Sequence, residues 1–350
     1  MRRDPAPVLV VGATGQLGTA VVRRLLERGH AVRALARSRS DYRHLVAPGI
    51  RLEFGDLRDP LAVRAACDGV GTVVATATAV FPRGPYSFPA DEGEGYGNLL
   101  DACGATGVRH VVFISNAAPP YRRVPSLHFK RLIERRLAAS GVAHTILRAA
   151  PFMDDYFALM GSTLPLRGAE AASLRRPFWL SSASVALTGN AIERYGVATV
   201  TGPATRRHQF IALGDVAALL VAAVERGPAN RAIEVGGPEA LSWAEVAALY
   251  GRLLQRRVRV VCLPAWTAAV GALALRGLSP AAANQLALLW VVGSFDTVIA
   301  AHAPARELGV PLRSAEEFLV AKLAADQPAG RRAAKPAPPE ESPSLVRSTA

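Results

Sequence analysis

The sequence contains little cysteine, little lysine and few aromatic residues. Its three cysteines, Cys67, Cys103 and Cys262, lie far apart and form neither a C-x-x-C pair nor a cluster with histidine. This spacing excludes a zinc-finger pattern and a disulfide framework, so we expect no metal site and reduced thiols, as in the cytoplasm. The few residues before the first apolar run leave no room for the apolar segment of a signal peptide, which also favours a cytoplasmic location.

Almost all of the positive charge comes from arginine, because lysine occurs only at Lys130, Lys322 and Lys335. The formal net charge is +13, but the arginines are scattered and no basic run is interleaved with aromatic residues. We therefore expect no nucleic-acid partner. The charge still suits anionic ligands or an anionic membrane surface.

A strand, a glycine turn and a helix follow one another at the start of the sequence. The apolar run Val8–Val11 is typical of a buried strand, and Gly12, Gly15 and Gly18 follow it in the spacing G-x-x-G-x-x-G. Glycine lets a pyrophosphate approach the backbone, while the N–H groups and dipole of the next helix attract its charge. The turn therefore predicts a dinucleotide site. The cofactor contacts predicted here are Gly12, Thr14, Gly15, Gln16, Leu17 and Gly18.

The residues that follow the next predicted strands indicate which dinucleotide binds. NAD enzymes usually place an acid about 20 residues after the glycines, but this sequence has Arg37 followed by Ser38. A guanidinium attracts a 2′-phosphate that a carboxylate would repel, so NADP(H) is favoured over NAD(H). Asp56 has two open roles: acceptor for the adenine amino group, or cap of a helix that begins near Pro60. Further cofactor contacts are predicted at Leu57, Ala75, Thr76 and Ser115.

Several segments together resemble one known family. They are the turn GATGQLG at 12–18, the step Gly55-Asp56-Leu57, the strand end Phe113-Ile114-Ser115, a helix that carries Lys130, and the strand Thr145–Arg148 followed by Pro151-Phe152. On these residues the first 150 residues resemble the short-chain dehydrogenase/reductase superfamily, in its extended and atypical NmrA-like branch. Weaker matches at 210–217 and 236–239 extend the resemblance to about residue 263.

The resemblance implies an α/β fold, a Rossmann-type doubly wound parallel sheet with a small C-terminal substrate lobe. We predict an NAD(P)-binding domain over 1–155 and a substrate lobe, interwoven with that core, over 156–263. A helical extension is predicted over 264–326 and a disordered tail over 327–350. Residues 80–95 read as a loop over the site, and Phe178–Leu180 with Tyr195 supply apolar surface for a substrate pocket.

The resemblance also implies a Tyr-x-x-x-Lys pair on one helix face, with the lysine on the cofactor ribose and the tyrosine as acid or base. Lys130 matches the lysine, but Ser126 stands at the tyrosine position. Tyr121 is the candidate substitute donor, and His128 is a second candidate that is better explained by packing. Pro151 and Phe152 are expected to flank the nicotinamide ring.

Two functions remain open on these residues. The first is an NADP(H)-dependent oxidoreductase that transfers hydride to or from a small organic substrate. The second, favoured by Ser126, is a non-catalytic NADP(H)-binding redox sensor or assembly factor. The sequence leaves the substrate and the oligomeric state open.

Several other acids and helices receive a structural interpretation. Asp154 and Asp155 are read as caps of the next helix rather than as an acid/base pair, Asp215 as the N-cap of a helix over 216–224, and Ser242 with Glu245 as a capping box. The run 206–209 is either a contact for an acidic substrate group or, more usually, a solvated charged stretch. The uncharged stretch 277–295 favours a buried or interfacial helix pair over a membrane span. Contact of 264–295 with a membrane surface or a protein partner is left open.

Overall fold

A parallel sheet of seven strands forms the centre of the protein, in the computed structural model that describes residues 6–78, 80, 89–118, 121, 124–168, 180, 188–299 and 307–325. The strands are β1 (Val8–Val11), β2 (Val32–Ala36), β3 (Ile50–Phe54), β4 (Thr72–Ala75), β5 (His110–Asn116), β6 (His144–Ala149) and β9 (Arg231–Val235). Their order is β3-β2-β1-β4-β5-β6-β9, and all neighbours pair in parallel. The order reverses between β1 and β4, the point where such sheets bind ligands at their carboxyl ends. The predicted Rossmann-type sheet is confirmed.

Helices cover both faces of this sheet, because successive residues of its central strands are apolar on both sides. Val8 and Val10 belong to one buried cluster, and Leu9 and Val11 belong to the other. The helices are α1 (Gln16–Glu27), α2 (Pro60–Cys67), α3 (Gly95–Thr106), α4 (Pro125–Ala139), α5 (Met153–Leu159), α6 (Ala191–Tyr195), α7 (Leu213–Arg226), α8 (Trp243–Leu253), α9 (Ala265–Leu275), α10 (Pro280–Ser294) and α11 (Ala315–Ala324). Helices α1 and α7 pack in the first cluster, whereas α2, α3 and α4 pack in the second.

A smaller lobe is built from two short sheets and an aromatic core. Its strands are β7 (Val197–Thr201), β8 (Arg207–His208), β10 (Leu241–Ser242) and β11 (Arg259–Leu263). β7 pairs with β11 in parallel, and β8 pairs with β10 in antiparallel orientation. Phe157, Phe210, Trp243, Tyr250 and Phe318 pack in its core. The chain enters the lobe, returns to the main sheet with α7 and β9, and then enters the lobe again. The lobe and the sheet are therefore not separated at a single residue.

The structure changes the capping interpretations of Asp56 and Asp215 and confirms that of Ser242 with Glu245. Helix α2 is capped by Asp59, whose carboxylate accepts hydrogen bonds from the backbone of Leu61 and Ala62, so capping is not the role of Asp56. Asp215 lies inside the first turn of α7 and pairs with Arg313 at 2.8 Å. It is therefore a tether to the C-terminal segment, not the N-cap. In contrast, the capping box of α8 is present as predicted.

Residues 206–209 and Tyr195 also differ from their predicted roles. Arg206 lies 3.4 Å from Asp296 and Arg207 lies 3.1 Å from Glu245, so both charges face acids of the same chain. His208, the next residue, is buried between aromatic rings of the lobe. The Tyr195 side chain is 69% exposed on α6 and supplies no pocket surface.

The C-terminal extension begins with a pair of apolar helices, α9 and α10, as the sequence indicated. A Cβ added at Gly271 of α9 would lie 2.9 Å from Leu286 of α10, so a glycine permits close packing of the pair. Within the described ranges, every helix falls short of the length and apolarity that crossing a bilayer requires. The predicted tail over 327–350, Phe178, Trp179 and residues 81–88 of the predicted loop over 80–95 lie outside the described residues. The rest of that loop prediction is wrong, because Pro89–Glu94 form a π-helical segment and Gly95 begins α3.

Candidate active site

A cavity of about 500 Å³ runs along the carboxyl ends of six adjacent strands, and the glycine turn forms its centre. Gly12 has a φ of +84°, and a Cβ there would lie 2.6 Å from the backbone nitrogen of Ala77. A Cβ at Gly18 would lie 2.1 Å from the carbonyl oxygen of Gly12, and one at Gly15 would lie 3.1 Å from the same oxygen. Gly12 thus lets the turn approach the backbone after β4, and Gly18 lets the first turn of α1 pack on the glycine turn itself. Helix α1 begins directly after it with no side-chain cap, so first-turn N–H groups remain available for an anion.

The end of the cavity at β2 and β3 carries opposite charges. Arg37 and Asp56 both line it, and Asp56 accepts two hydrogen bonds of 3.0 Å from the Arg58 guanidinium. Burial would raise the pKa of Asp56, but the bonds from Arg58 and the nearby charges of Arg58 and Arg37 hold it below its ordinary value. Asp56 is therefore an ionised hydrogen-bond acceptor near the Arg37 guanidinium. This pair suits the adenosine end of a dinucleotide, with an amino group for the acceptor and a phosphate for the guanidinium.

Lys130 lies in the middle of the cavity wall and is buried. Its Nζ is 3.4 Å from the carbonyl oxygen of Ala77 and 4.7 Å from the ring centre of Phe113. Tyr96, which the sequence gave no reason to single out, donates to the same Ala77 carbonyl at 2.7 Å. Burial lowers the pKa of Lys130, partly offset by Glu92 and Glu134. The ammonium is thus held at one place over the strand ends, where a ribose could meet it.

Ser126 occupies the same wall one helical turn before Lys130, as the family pattern implies for the tyrosine position. Its backbone N–H donates to Asn284 at 2.9 Å, which ties α4 to α10. Tyr121 was predicted to reach this site, but it is absent from the cavity wall. Its ring stacks on Phe295 at 4.9 Å and contacts Trp290 at 5.7 Å. The apolar segment after α10 holds Tyr121 away from the cavity.

Two further predicted contacts, and one discounted candidate, lie apart from the cavity wall. Ser38 is exposed in the turn after β2, and the Ala75 side chain is buried in the core of the sheet. His128 packs on Phe129 at 5.5 Å, in line with its packing interpretation. The predicted residues that the structure brings together in the wall are Gly12, Thr14, Gly15, Gln16, Leu17, Gly18, Arg37, Asp56, Leu57, Thr76, Ser115, Lys130, Pro151 and Phe152.

A buried ion-pair network fixes the helix that carries Lys130. Glu134, one turn after Lys130, accepts hydrogen bonds from Arg131 at 2.8 Å and from Arg148 of β6 at 2.6 Å. Ser115, at the end of β5, donates to the same carboxylate. Burial would raise the pKa of Glu134, but the bonds from Arg148, Ser115 and Arg131 hold it below its ordinary value of 4.5. One carboxylate therefore joins α4, β5 and β6 beside the site.

The two acids at the start of α5 have different surroundings, and neither caps the helix. Phe152 occupies the cap position without a side-chain bond. Asp154 accepts a hydrogen bond from the Leu213 backbone at 2.9 Å and lies 3.5 Å from Lys322, so it joins three helices. Asp155 faces the cavity instead, and its buried Oδ1 has no hydrogen-bond partner among the described residues.

The remaining wall of the cavity is apolar and comes from the lobe and the C-terminal extension. Its side chains are Tyr156, Leu159, Leu180, Leu286, Leu288, Leu289, Val291 and Val292. A second cavity of about 320 Å³ adjoins this wall and shares Tyr156, Leu159, Leu180, Leu289 and Val292 with it. Helix α10 thus closes the site with a face that the sequence alone could not assign.

These residues fit a dinucleotide. An ionised acceptor beside a guanidinium at one end, the glycine cradle at the centre and a buried ammonium all line one cavity, and these are the groups that the base, phosphate and ribose parts of a dinucleotide need. Residues 12–163 match the sequence model of a family described as NAD(P)H-binding. This segment is therefore an NAD(P)H-binding domain.

The chain is also similar to named proteins over longer or comparable stretches. The chain is 29% identical over 326 residues to an NAD(P)H azoreductase of Xenophilus azovorans, covering 91% of this chain and 98% of that protein. It is 32% identical over 148 residues to the photosystem II assembly factor Ycf39 of Cyanophora paradoxa, covering 41% of this chain and 45% of that protein. The first of these alignments covers almost the whole chain, and the second covers less than half of it.

Solved structures share the fold. An NADPH-dependent quinone oxidoreductase from Escherichia coli, complexed with NADPH, superposes with a TM-score of 0.68 at 21% identity, over 90% of this chain and 99% of that chain. The Citrobacter triphenylmethane reductase complexed with NADP(H) also gives 0.68, at 17% identity, over 90% and 99% of the two chains. At these identities the likeness shows a common fold.

Proposed function

We propose that this protein is an NADP(H)-dependent reductase of small, flat, apolar organic molecules. The observation that supports this most strongly is the composition of one cavity. Its strand-end half carries the cofactor-type groups, and its other half, against α10 and the lobe, is apolar. Pockets with apolar walls and a few polar groups are typical of small-molecule sites.

In this proposal a bound nicotinamide supplies a hydride, and the protein positions both reactants. Lys130 binds the ribose hydroxyls, and Pro151 and Phe152 flank the ring. The apolar wall excludes water and holds the acceptor by its faces. The azoreductase, the quinone oxidoreductase and the triphenylmethane reductase bear the names of conjugated, ring-containing acceptors, which agrees with such a wall.

The test is NADPH oxidation in the presence of azo compounds, quinones, triphenylmethane dyes, enones and simple carbonyls. We expect turnover with conjugated acceptors and little with small polar carbonyls. Tight NADPH binding by calorimetry without turnover of any acceptor would contradict the reductase and leave cofactor binding intact.

The second candidate is a non-catalytic NADP(H) sensor or assembly factor, and Ser126 is the observation that favours it. The partial match to Ycf39 also agrees with this alternative. A protein that binds NADPH, reduces no acceptor and forms a complex with a protein partner only when NADPH is bound would support it.

Arg37 gives a prediction for cofactor choice. In Arg37→Gln we expect the Kd for NADPH to rise by about 10- to 100-fold, because a charge-assisted pair with the 2′-phosphate is lost. The Kd for NADH should stay nearly constant. Arg39→Gln, in the same exposed turn but outside the cavity wall, serves as the matched control. Equal losses for both cofactors would show that Arg37 does not contact the 2′-phosphate.

A further inference from the structure

Reduction of a double bond by hydride also requires a proton, and the usual donor of the superfamily is missing here. The Ser126 hydroxyl has a pKa far above neutral and is a poor donor. Tyr121 lies outside the cavity wall. Tyr96 lines it, but its hydroxyl donates to Ala77, and burial together with Glu92 raises the pKa of its phenol. Another group must therefore supply the proton if the protein acts as a reductase.

Asp155 has the position that a proton donor needs. It lies in the first turn of α5, directly after Pro151 and Phe152, which are expected to flank the nicotinamide. Its Oδ1 is buried, lies in the cavity wall and has no hydrogen-bond partner among the described residues. The carboxylate of Asp154, its neighbour, is already paired with the Leu213 backbone and with Lys322, so it is not the donor.

The surroundings of Asp155 favour a carboxyl that gives and regains a proton near neutral pH. Burial, and then the charge of Asp154, raise its pKa to about 7. The neighbouring phenol of Tyr156 is buried and carries no charge, because burial and Asp155 raise its pKa. Lys130, Glu92, Asp56 and Arg37 are the charged groups elsewhere in the same wall. General acids work best when their pKa lies near the working pH.

We propose that the Asp155 carboxyl donates the proton that completes reduction of the acceptor, an inference that rests on the reductase function proposed above. One atom of the acceptor's double bond receives the hydride, and the π electron pair moves to the other atom. That atom takes the proton from Asp155, and the carboxylate regains a proton from water. In sum, a neutral acceptor such as a quinone or an azo compound, NADPH and one proton give the reduced acceptor and NADP+, whereas a cationic triphenylmethane dye is reduced by the hydride alone.

The experiment compares wild type with Asp155→Asn, which keeps the side-chain shape but has no acidic proton. We expect kcat to fall by about 100-fold or more, with the Kd for NADPH unchanged. The rate of wild type should fall as the pH rises above about 7, because the donor becomes ionised, and the variant should lose this dependence. Asp155→Glu should restore part of the rate. Asp101→Asn, on an exposed position of α3, should behave as wild type.

A second measurement does not depend on turnover. Infrared difference spectra of wild type between acidic and alkaline solutions should contain the carbonyl band of a buried protonated carboxyl, and the band should be absent from Asp155→Asn. A missing band, or an Asp155→Asn variant as active as wild type, overturns the proton donor while the reductase function stands. A loss of activity in Tyr121→Phe instead would transfer the role to that tyrosine. Wild type without turnover of any acceptor overturns both proposals.

A separate observation concerns the outer face of α9. Trp266, Val270, Leu273 and Leu278 are 65%, 56%, 72% and 84% exposed. Trp266, Val270 and Leu273 are spaced by four and three residues, which places them along one side of the helix, and Leu278 lies in the turn after it. Val261 and Leu263 of the preceding strand are each 46% exposed. Apolar surfaces of this kind mark sites of contact with a membrane or a partner.

The charges in the segment that carries this face are all positive. Between Glu245 and Asp296 the sequence contains five arginines and no acidic residue. Arg257, Arg259 and Arg276 of this segment are exposed, and none forms an ion pair with another described residue. An exposed apolar surface with a tryptophan, in a segment whose charges are all arginines, suits contact with the surface of an anionic bilayer.

We infer that the α9 surface, defined by Trp266, Val270, Leu273 and Leu278, docks on anionic lipid. Helix α10, directly beneath α9, forms the apolar wall of the cavity. Only the α10 layer therefore lies between the proposed lipid-binding face and the apolar part of the cavity.

Co-sedimentation with vesicles tests this surface. We expect binding to vesicles of phosphatidylcholine with phosphatidylserine, weak binding to phosphatidylcholine alone, and release by salt. The double variant Trp266→Ser, Leu273→Ser should bind at least about 10-fold more weakly. Leu61→Ser, at a 78% exposed apolar position of α2, should bind as wild type. Equal sedimentation of the double variant, or a concentration-dependent dimer that the double variant abolishes, would overturn the lipid assignment.

Discussion

Replacing Glu134 by alanine is expected to lower the free energy of unfolding by about 3–5 kcal/mol, the effect of breaking a buried charge network. Its carboxylate is 6% exposed, and the two guanidinium groups that it binds, of Arg131 and Arg148, are 13% and 29% exposed. Without Glu134 these two positive charges lie close together and lose the bonds that its carboxylate accepts, so that Arg131 keeps only its bond to Ala118 and Arg148 its longer pairing with Glu234. Urea unfolding of wild type and variant measures the difference.

The matched control is Glu307→Ala, which removes an ion pair with Arg231 in which both side chains are at least half exposed. Solvent screens such pairs, so its loss should change the stability by less than about 1 kcal/mol. Equal, small effects in the two variants would show that the network around Glu134 contributes nothing specific.

The same network predicts a dependence on pH. The pKa of Glu134 is below its ordinary value of 4.5 in the folded protein, so its stabilising effect is present above the pKa of the unfolded chain. That effect is lost as the pH falls through the lower, folded pKa. In Glu134→Gln the corresponding part of the acid destabilisation should disappear. Because Glu134 also binds Ser115 and fixes α4, the alanine variant should bind NADPH more weakly as Lys130 loses its support.

Local sequence patterns and the family resemblance predicted many of the residues that line the glycine-turn end of the cavity. The glycine turn depends on residues within one strand–turn–helix unit, and Lys130 could be located because the resemblance implies a lysine on that helix. Arg37 could be found because its distance along the chain from the glycines is fixed by the βαβ unit. Even here the side-chain detail failed at Ala75, because adjacent strand residues face opposite sides and Thr76, not Ala75, meets the cavity.

The substrate end could not be predicted in the same way, because contacts between distant segments create it. In the sequence, Asp154 and Asp155 look alike, as two acids at the start of a helix. Only the structure shows that Leu213 and Lys322 bind Asp154 and not Asp155. Tyr121 is within a few residues of the site in sequence, but Trp290 and Phe295 hold its ring elsewhere. The wall from α10 comes from residues more than 100 positions after the strands that line the cofactor end. Because α10 is apolar on all sides, its sequence did not show which face meets the cavity.

The glycine turn leads to the other large effect, in Gly18→Ala. The added Cβ would lie 2.1 Å from the Gly12 carbonyl oxygen and 2.9 Å from Ala13 Cα. Both contacts are with backbone, which cannot rotate aside, so we expect a loss of about 3 kcal/mol of stability, the upper end for overpacked sites. The Kd for NADPH should rise sharply as well, because relief of the clash must move the first turn of α1 away from the phosphate position.

Gly104→Ala is the control for this variant. Gly104 lies on an exposed position of α3, and a Cβ there would meet no atom within 4 Å. Alanine in an open helix interior is favoured over glycine by roughly 0.5–1 kcal/mol, so this variant should be slightly more stable than wild type and bind NADPH normally. One substitution, glycine to alanine, is thus expected to have opposite signs at two helical positions. If Gly18→Ala unfolds at the urea concentration of wild type and binds NADPH equally well, the strand, turn and helix do not pack as the structure describes, and the phosphate site assigned to them is wrong.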